Sequence, residues 1–191
     1  MYSNSIKSIA IVLLCLSSFF THADVNSLFK EAMSKVNNGD CESGVLLLHE
    51  LADRNLPGAL INLGSIYESG KCGSEDLARA NELFKIASEM SIPIGHYRYG
   101  LLHFGDDSYK PDYKLVFREW SKAFKLGLPI YSELAILHHE GLGTHKNALL
   151  AEMLLIKGVK QGDVQATEQL KGFYLDKSSP LYNPEKAKNF R

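Results

Sequence analysis

Apolar positions recur along this chain as pairs of short helical stripes. Ala59, Leu63, Ile66 and Tyr67 fall on one face of a 3.6-residue period, and so do Ala80, Leu83, Phe84 and Ala87. The two-stripe pattern then returns at a fixed offset. A ladder of Asp or Asn residues marks it: Asp40, Asp76, Asp112, Asn147 and Asn183, spaced 36, 36, 35 and 36 residues apart. A period of that length is one supersecondary unit repeated. Each ladder residue stands where a short oxygen-bearing side chain accepts from the open N–H groups of a first helical turn, so each predicts an N-cap. The second stripes end at Asn55, Ser91, Gly127 and Gly162, where a left-handed residue is expected. Leu56-Pro57, Ile92-Pro93 and Leu128-Pro129 prevent three of them from continuing.

The units run 24–58, 59–94, 95–129, 130–165 and 166–191, the first keeping only its second half clearly. Gly64, Gly100 and Ala135 occupy one repeat position, which predicts close approach of a neighbouring helix backbone there. Lys171 breaks that rule, so the last unit is expected to end the stack with one face open to water. The expected fold class is all-α, about five helix-turn-helix repeats stacked as one solenoid domain over 24–191.

The second unit reads Ala59-x-x-x-Leu63-Gly64-x-x-Tyr67-x-x-Gly70-x-x-Gly73-x-x-Asp76, followed by Arg79-Ala80, Leu83-Phe84 and Ala87-Ser88. This resembles the Sel-one-like repeat family, relatives of the tetratricopeptide repeats. The resemblance covers about 24–191 and is closest in the second unit, with Cys72-Gly73 at the family's Gly-Val position. The fourth unit matches through Glu140-Gly141-Leu142-Gly143-Thr144, whereas the third has Asp106, Asp107 and Ser108 in place of the loop glycines. Trp120 stands at the family's core aromatic. The resemblance implies a right-handed α-α superhelix and a binding scaffold with neither catalytic centre nor cofactor. Short exported members include immunity proteins that block phospholipase effectors of type VI secretion, and some secreted members have been linked to penicillin binding.

In such superhelices the first helix of each pair lines the concave surface. With Ala59, Leu63, Ile66 and Tyr67 buried, the opposite face carries Asn62, Arg98, Glu133 and Gln169, with Ser65, Leu101, Ile136 and Gly172 beside it. Asn62, Ser65, Arg98, Leu101, Glu133, Ile136 and Gln169 are therefore the expected partner-binding residues. Their chemistry changes from unit to unit, as a surface tuned to a partner does. The competing reading is that curvature buries Leu101 and Ile136.

The first 23 residues read as an export signal: Lys7, an apolar core from Ile9 to Leu16 extended by Phe19 and Phe20, and Thr21-His22-Ala23 as a cleavage site. The apolar run is too short to span a bilayer comfortably, which favours cleavage after Ala23 over a retained anchor. Val12, Leu13 and Leu14 are too bulky for lipid attachment at Cys15. The expected location is therefore the periplasm or the exterior, with no membrane insertion of the mature chain. The full chain carries 21 basic and 22 acidic residues; cleavage removes one Lys and no acid, leaving a formal charge of −2. No basic stripe stands out along the sequence, so nucleic acid is not an expected partner. The expected form is a monomer that binds another protein. Cys41 and Cys72 sit at loop edges of neighbouring units, and an oxidising compartment permits a bridge between them. That pairing differs from the family's bridges within one repeat, and two free thiols are the alternative.

Other chemistry is thin. Ser27-Leu28-Phe29-Lys30 fits the Ser-x-x-Lys of penicillin-recognising enzymes but lacks the companion motifs, and Ser27 reads as a helix-start residue. His138-His139-Glu140, with His145 and His103, invites a metal reading, yet residue 143 is Gly where His-Glu-x-x-His needs its second ligand. His103 and His138 share the repeat slot of Tyr67 and Tyr174 and are expected to pack between units. Asp106-Asp107-Ser108 has no Glu at EF-hand spacing. Three functions follow: a periplasmic protein-binding solenoid acting as adaptor or neutraliser, a secreted factor engaging a host protein, or a hydrolase of β-lactam-like or peptidoglycan compounds. The first is the reading the residues favour.

Overall fold

The computed structural model describes residues 22–105 and 110–190, with side chains from Asp24 onward. Residues 1–21, most of the expected export signal, and the Asp106-Asp107-Ser108 stretch lie outside the described residues. Among the described residues every regular element is a helix: α1 His22–Asn37, α2 Cys41–Asp53, α3 Pro57–Ser69, α4 Leu77–Glu89, α5 Pro93–Leu102, α6 Tyr113–Lys125, α7 Tyr131–Glu140, α8 Ala148–Lys160, α9 Val164–Leu175 and α10 Pro184–Ala187. The chain divides into two compact units, one ending at Asp76 and one beginning at Leu77. The division falls between α3 and α4, inside the repeat that runs 59–94.

In the first unit α1 packs on α2, and α2 on α3. Ala32, Val36, Leu48, Leu51, Leu60 and Leu63 form its buried core. The crossing of α1 and α2 is close at Gly44, where a Cβ would stand 2.9 Å from both the Ala32 carbonyl oxygen and the Val36 nitrogen. Cys41, the first residue of α2, is joined to Cys72 in the turn after α3, with Sγ atoms 2.04 Å and Cα atoms 5.4 Å apart.

In the second unit each helix from α4 to α10 packs on the next. One apolar cluster gathers Val116, Trp120, Ala123, Ile130, Leu134 and Leu137. Another gathers Ala135, Ala151, Leu155, Ala166, Leu170, Tyr174 and Ala187. The short α10 thus docks the chain's end, with Ala187 buried and Phe190 packed against the cluster.

The ladder residues make the corners. Asp40, Asp112, Asn147 and Asn183 accept from the backbone N–H three residues on, at 3.2, 3.0, 2.9 and 3.1 Å. Their own N–H groups also point back. Those of Asp76, Asp112, Asn147 and Asn183 donate to the carbonyls of Tyr67, His103, His138 and Tyr174, at 2.9, 3.0, 2.7 and 2.9 Å. Asp163 caps α9 through the Ala166 N–H at 3.0 Å, a cap outside the ladder. The second helices end on left-handed residues at all four expected places: Asn55, Ser91, Gly127 and Gly162 have φ of 56°, 59°, 96° and 80°. Pro57 and Pro93 then open α3 and α5, where a missing N–H costs nothing.

One expectation needs correcting. Gly100 does not admit a helix backbone; it admits a side chain. A Cβ there would lie 2.6 Å from Cδ1 and Nε1 of Trp120. The indole fills that space, donates from Nε1 to the Tyr97 carbonyl at 3.0 Å and stacks between Tyr97 and Phe104 at ring distances of 5.8 and 5.1 Å. Backbone contact occurs one turn earlier, at Gly95, whose Cβ would stand 2.7 Å from the Ala87 carbonyl carbon.

Gly95→Ala should therefore destabilise the protein by about 1–3 kcal/mol, because the obstacle is backbone. Gly172→Ala, at a mid-helix position with nothing within 4 Å of the new methyl group, should stabilise it by about 0.5–1 kcal/mol. Urea unfolding of the two variants checks the pair; equal shifts of one sign would contradict this packing.

Candidate functional site

The seven expected binding residues divide between the two units: Asn62 and Ser65 in the first, the other five in the second. All seven are half-buried. Asn62 turns its amide onto its own helix, donating to the Gly58 carbonyl at 2.8 Å, and the Ser65 carbonyl accepts from Ser69. In the second unit Arg98 lies 6.0 Å over the Phe84 ring. Leu101 packs against the Trp120 cluster, so part of its surface belongs to the core. Glu133, on α7, accepts from the Tyr97 hydroxyl of α5 at 3.3 Å. Burial raises its carboxyl above the ordinary value, and the neighbouring Asp163 adds to the rise. The Gln169 side-chain oxygen is buried and has no hydrogen-bond partner among the described residues. This face therefore holds desolvated polar groups with unused bonding capacity, which is a costly condition for a merely structural surface.

The ring slot joins successive repeats. Tyr67 meets His49 Nε2 through its hydroxyl at 2.7 Å, and His103 Nε2 lies 2.9 Å from Asn81 Oδ1. His138 sets its edge on Phe117 at 5.4 Å, and Tyr174 donates to Glu152. Burial pushes the imidazoles of His103 and His138 toward the neutral form. No group of three or more His, Cys, Asp or Glu side chains among the described residues is arranged to hold a metal ion. Ser27 and Lys30 are exposed and belong to the interior of α1, which begins five residues before Ser27. That corrects the helix-start reading.

Two polar clusters escaped the sequence reading. Glu119 is 3% exposed and His96 5%. The carboxylate takes Arg118 Nε at 2.7 Å, Lys122 Nζ at 3.4 Å and His96 Nδ1 at 2.7 Å. Burial alone would raise its pKa; the hydrogen bonds from Arg118 and His96, with the charges of Lys122 and Arg118, outweigh burial and hold it below the ordinary carboxylate value. The signal was present: Glu119 stands in the repeat column of Leu47, Leu83 and Leu154, and His96 in that of Leu60.

The second cluster has the connectivity of a hydrolase triad. His139 Nδ1 lies 2.6 Å from Glu140 Oε1, His139 Nε2 lies 3.1 Å from Ser179 Oγ, and the ring stacks on Phe173 at 3.9 Å. A cleft of about 440 Å³ opens beside it, walled by His139, Glu140, Lys146, Asp176 and Ser178. Two facts argue against acyl chemistry. Ser179 is 6% exposed and does not line the cleft. The N–H groups flanking the hydroxyl are engaged: Ser178 donates to Asp176 Oδ1, Ser179 to the Asp176 carbonyl and Leu181 to Ser179 Oγ, so these three form no oxyanion hole. The cluster is a clasp that ties the end of α7 to the loop after α9.

The net charge also concealed a feature. Helix α6 aligns Lys114, Arg118, Lys122 and Lys125 at helical spacing on one exposed face. A basic stripe therefore exists, contrary to the impression from the linear sequence.

Comparison with known proteins agrees with this architecture. The Sel1 repeat family matches at residues 57–91, 93–115 and 131–163. Among solved structures, a Sel1 repeat protein from Oxalobacter formigenes is similar over 92% of this chain and 75% of its own, with a TM-score of 0.72 and 23% identity. A protective antigen of uropathogenic Escherichia coli with an SLR fold is similar over 88% of this chain and 45% of its own, with a TM-score of 0.51 and 19% identity. At these identities the likeness is one of fold. No curated protein matches the chain.

The Glu119 cluster yields a double-mutant test. Glu119→Leu alone strands His96 and should cost about 3 kcal/mol, whereas His96→Leu with Glu119→Leu should return to within about 1 kcal/mol of the parent. A carboxyl with a lowered folded-state pKa contributes stability that is present above the unfolded value and lost as the pH falls through the folded one. The parent should therefore lose stability on acidification more steeply than the double variant; parallel acid limbs in urea melts would refute the pairing.

Proposed function

We propose, from the premise that this chain belongs to the Sel1-repeat family, that it is a non-enzymatic protein-binding scaffold of the bacterial cell envelope. Members of the family commonly serve as protein-interaction scaffolds, and the repeat fold here is of that kind. Its partner would be held on the first-helix face of the second unit, by Arg98, Leu101, Glu133, Ile136 and Gln169; Asn62 and Ser65 are the equivalent candidates on the first unit by itself. The observation that carries this reading is the state of that face. Glu133 is desolvated with its pKa raised, and the Gln169 oxygen is buried without a hydrogen-bond partner among the described residues. A partner that donates a hydrogen bond to Glu133 would offset the cost of its burial.

Export is supported by the apolar leader pattern and by the joined Cys41 and Cys72, which suit an oxidising compartment. No helix among the described residues is long and apolar enough to cross a membrane. Within that compartment the role we favour is neutralisation of a secreted effector, as an immunity protein.

The test is capture from periplasmic extract followed by mass spectrometry, comparing the parent with an Arg98→Ala, Glu133→Gln variant. The variant should lose the captured partner by about tenfold or more while its urea midpoint stays put. Capture that survives both changes, or a collapse of the fold, removes these residues from the binding role. Leu101 is left intact because its packing on the Trp120 cluster would confound the result.

A further inference from the structure

The outer faces of the second helices differ in charge at equivalent repeat positions: acidic on α2 and, through Glu82 and Glu89, on α4, and basic on α6 and α8. On α2 that face presents Glu42, Leu46, Glu50 and Asp53, all exposed. On α6 the same positions are Lys114, Arg118, Lys122 and Lys125, and on α8 they are Leu149, Met153, Lys157 and Lys160, again all exposed. The faces of α6 and α8 adjoin: Lys157 Nζ lies 5.8 Å over the Phe124 ring of α6, and Leu154 packs into the α6 cluster.

Apolar shape matches charge. Leu46 is 70% exposed, at the edge of an open hollow of about 600 Å³ lined by Cys41, Glu42, Val45, His49 and Cys72. Leu149 and Met153 project from α8 with 66% and 59% exposure. One unit thus offers an apolar hollow with acid at its rim, and the other an apolar knob with base at its rim. Large exposed aliphatic side chains grouped this way mark a contact surface. Some of the charge is already engaged: Glu50 pairs with Arg54 at 2.7 Å, and Arg118 and Lys122 share Glu119. Glu42, Asp53, Lys114, Lys125, Lys157 and Lys160 have no ion pair among the described residues.

We infer that the occupant of the α6–α8 face is the α2 face of a second copy of this chain, with Met153 entering the hollow beside Leu46. The contact joins two different faces of the chain, residue i of one copy meeting residue j of the next. It departs from the expectation of a monomer. Exposed charge rims both faces, so the association is salt-sensitive. It uses none of the first-helix residues assigned to partner capture, and the two readings fail independently.

Sedimentation of the purified full chain from micromolar to millimolar concentration tests it, at low and at high salt. Association at low salt that weakens at least tenfold at high salt is expected. Met153→Glu should abolish it. So should Lys157→Glu with Lys160→Glu, and so should Glu42→Lys with Glu50→Lys. Mixing those two charge-reversed chains should restore association that neither shows alone. All of these residues are exposed, and circular dichroism verifies that each variant keeps its helices. A parent that stays monomeric at every concentration overturns the inference, and so does association indifferent to the reversals. Vesicles of phosphatidylcholine with phosphatidylglycerol serve as the rival probe: a monomer that co-sediments with them would make the basic face a lipid-binding surface instead.

Discussion

At three corners of this protein one short side chain serves two helices. At Asp112, Asn147 and Asn183 the backbone N–H closes back on the ring residue of the helix before, while the side-chain oxygen caps the helix after. Two hydrogen bonds from one residue fix both the exit of the first helix and the entry of the second. The hairpin angle then repeats, so the ring slot of each first helix meets the second helix of the repeat before it. Apolar burial supplies the driving force, but the corner decides what that burial is applied to.

Given the corner, the interior columns have little freedom. Ala80, Val116, Ala151 and Ala187 occupy one of them and are all buried. Where a column breaks its own rule the structure compensates nearby. Glu119 replaces an aliphatic residue and recruits His96, Arg118 and Lys122. Trp120 is too large for its neighbourhood unless residue 100 lacks a side chain. These two adjacent residues make the third repeat the most individual one. Buried ionic clusters of this kind confer geometric definition more than net stability, and here the cluster pins α5 to α6 through His96 and Glu119.

The surfaces follow a different logic. The first-helix face of the second unit is polar, half-buried and incompletely bonded, whereas the outer second-helix faces are open and strongly charged. The first suits a partner that fills hydrogen-bonding gaps in a confined place. The second suits a broad, weak electrostatic contact. A scaffold with both surfaces has room to hold a partner and to associate with itself, and the two need not compete. The triad-like clasp at Ser179 shows how little connectivity alone says about chemistry: the same Ser–His–carboxylate order becomes an anchor when the hydroxyl is enclosed.

The helical class, the repeat length, the corner residues, the left-handed helix ends and the pairing of the ring slots are legible in the residues alone. All of these depend on neighbours within one period, so local pattern suffices to specify them. What lies across from what is set by packing between helices. Gly100 looked like a site of backbone contact, but its occupant, Trp120, lies on the following helix. Leu101 looked like part of a groove floor, but a shared cluster takes part of it inward. The Lys114–Lys125 stripe was diluted by intervening apolar residues, because a linear reading does not separate the faces of a helix that is basic on one side and buried on the other. Net charge averages over all surfaces, and burial depends on which surfaces meet; neither can be recovered from spacing along the chain.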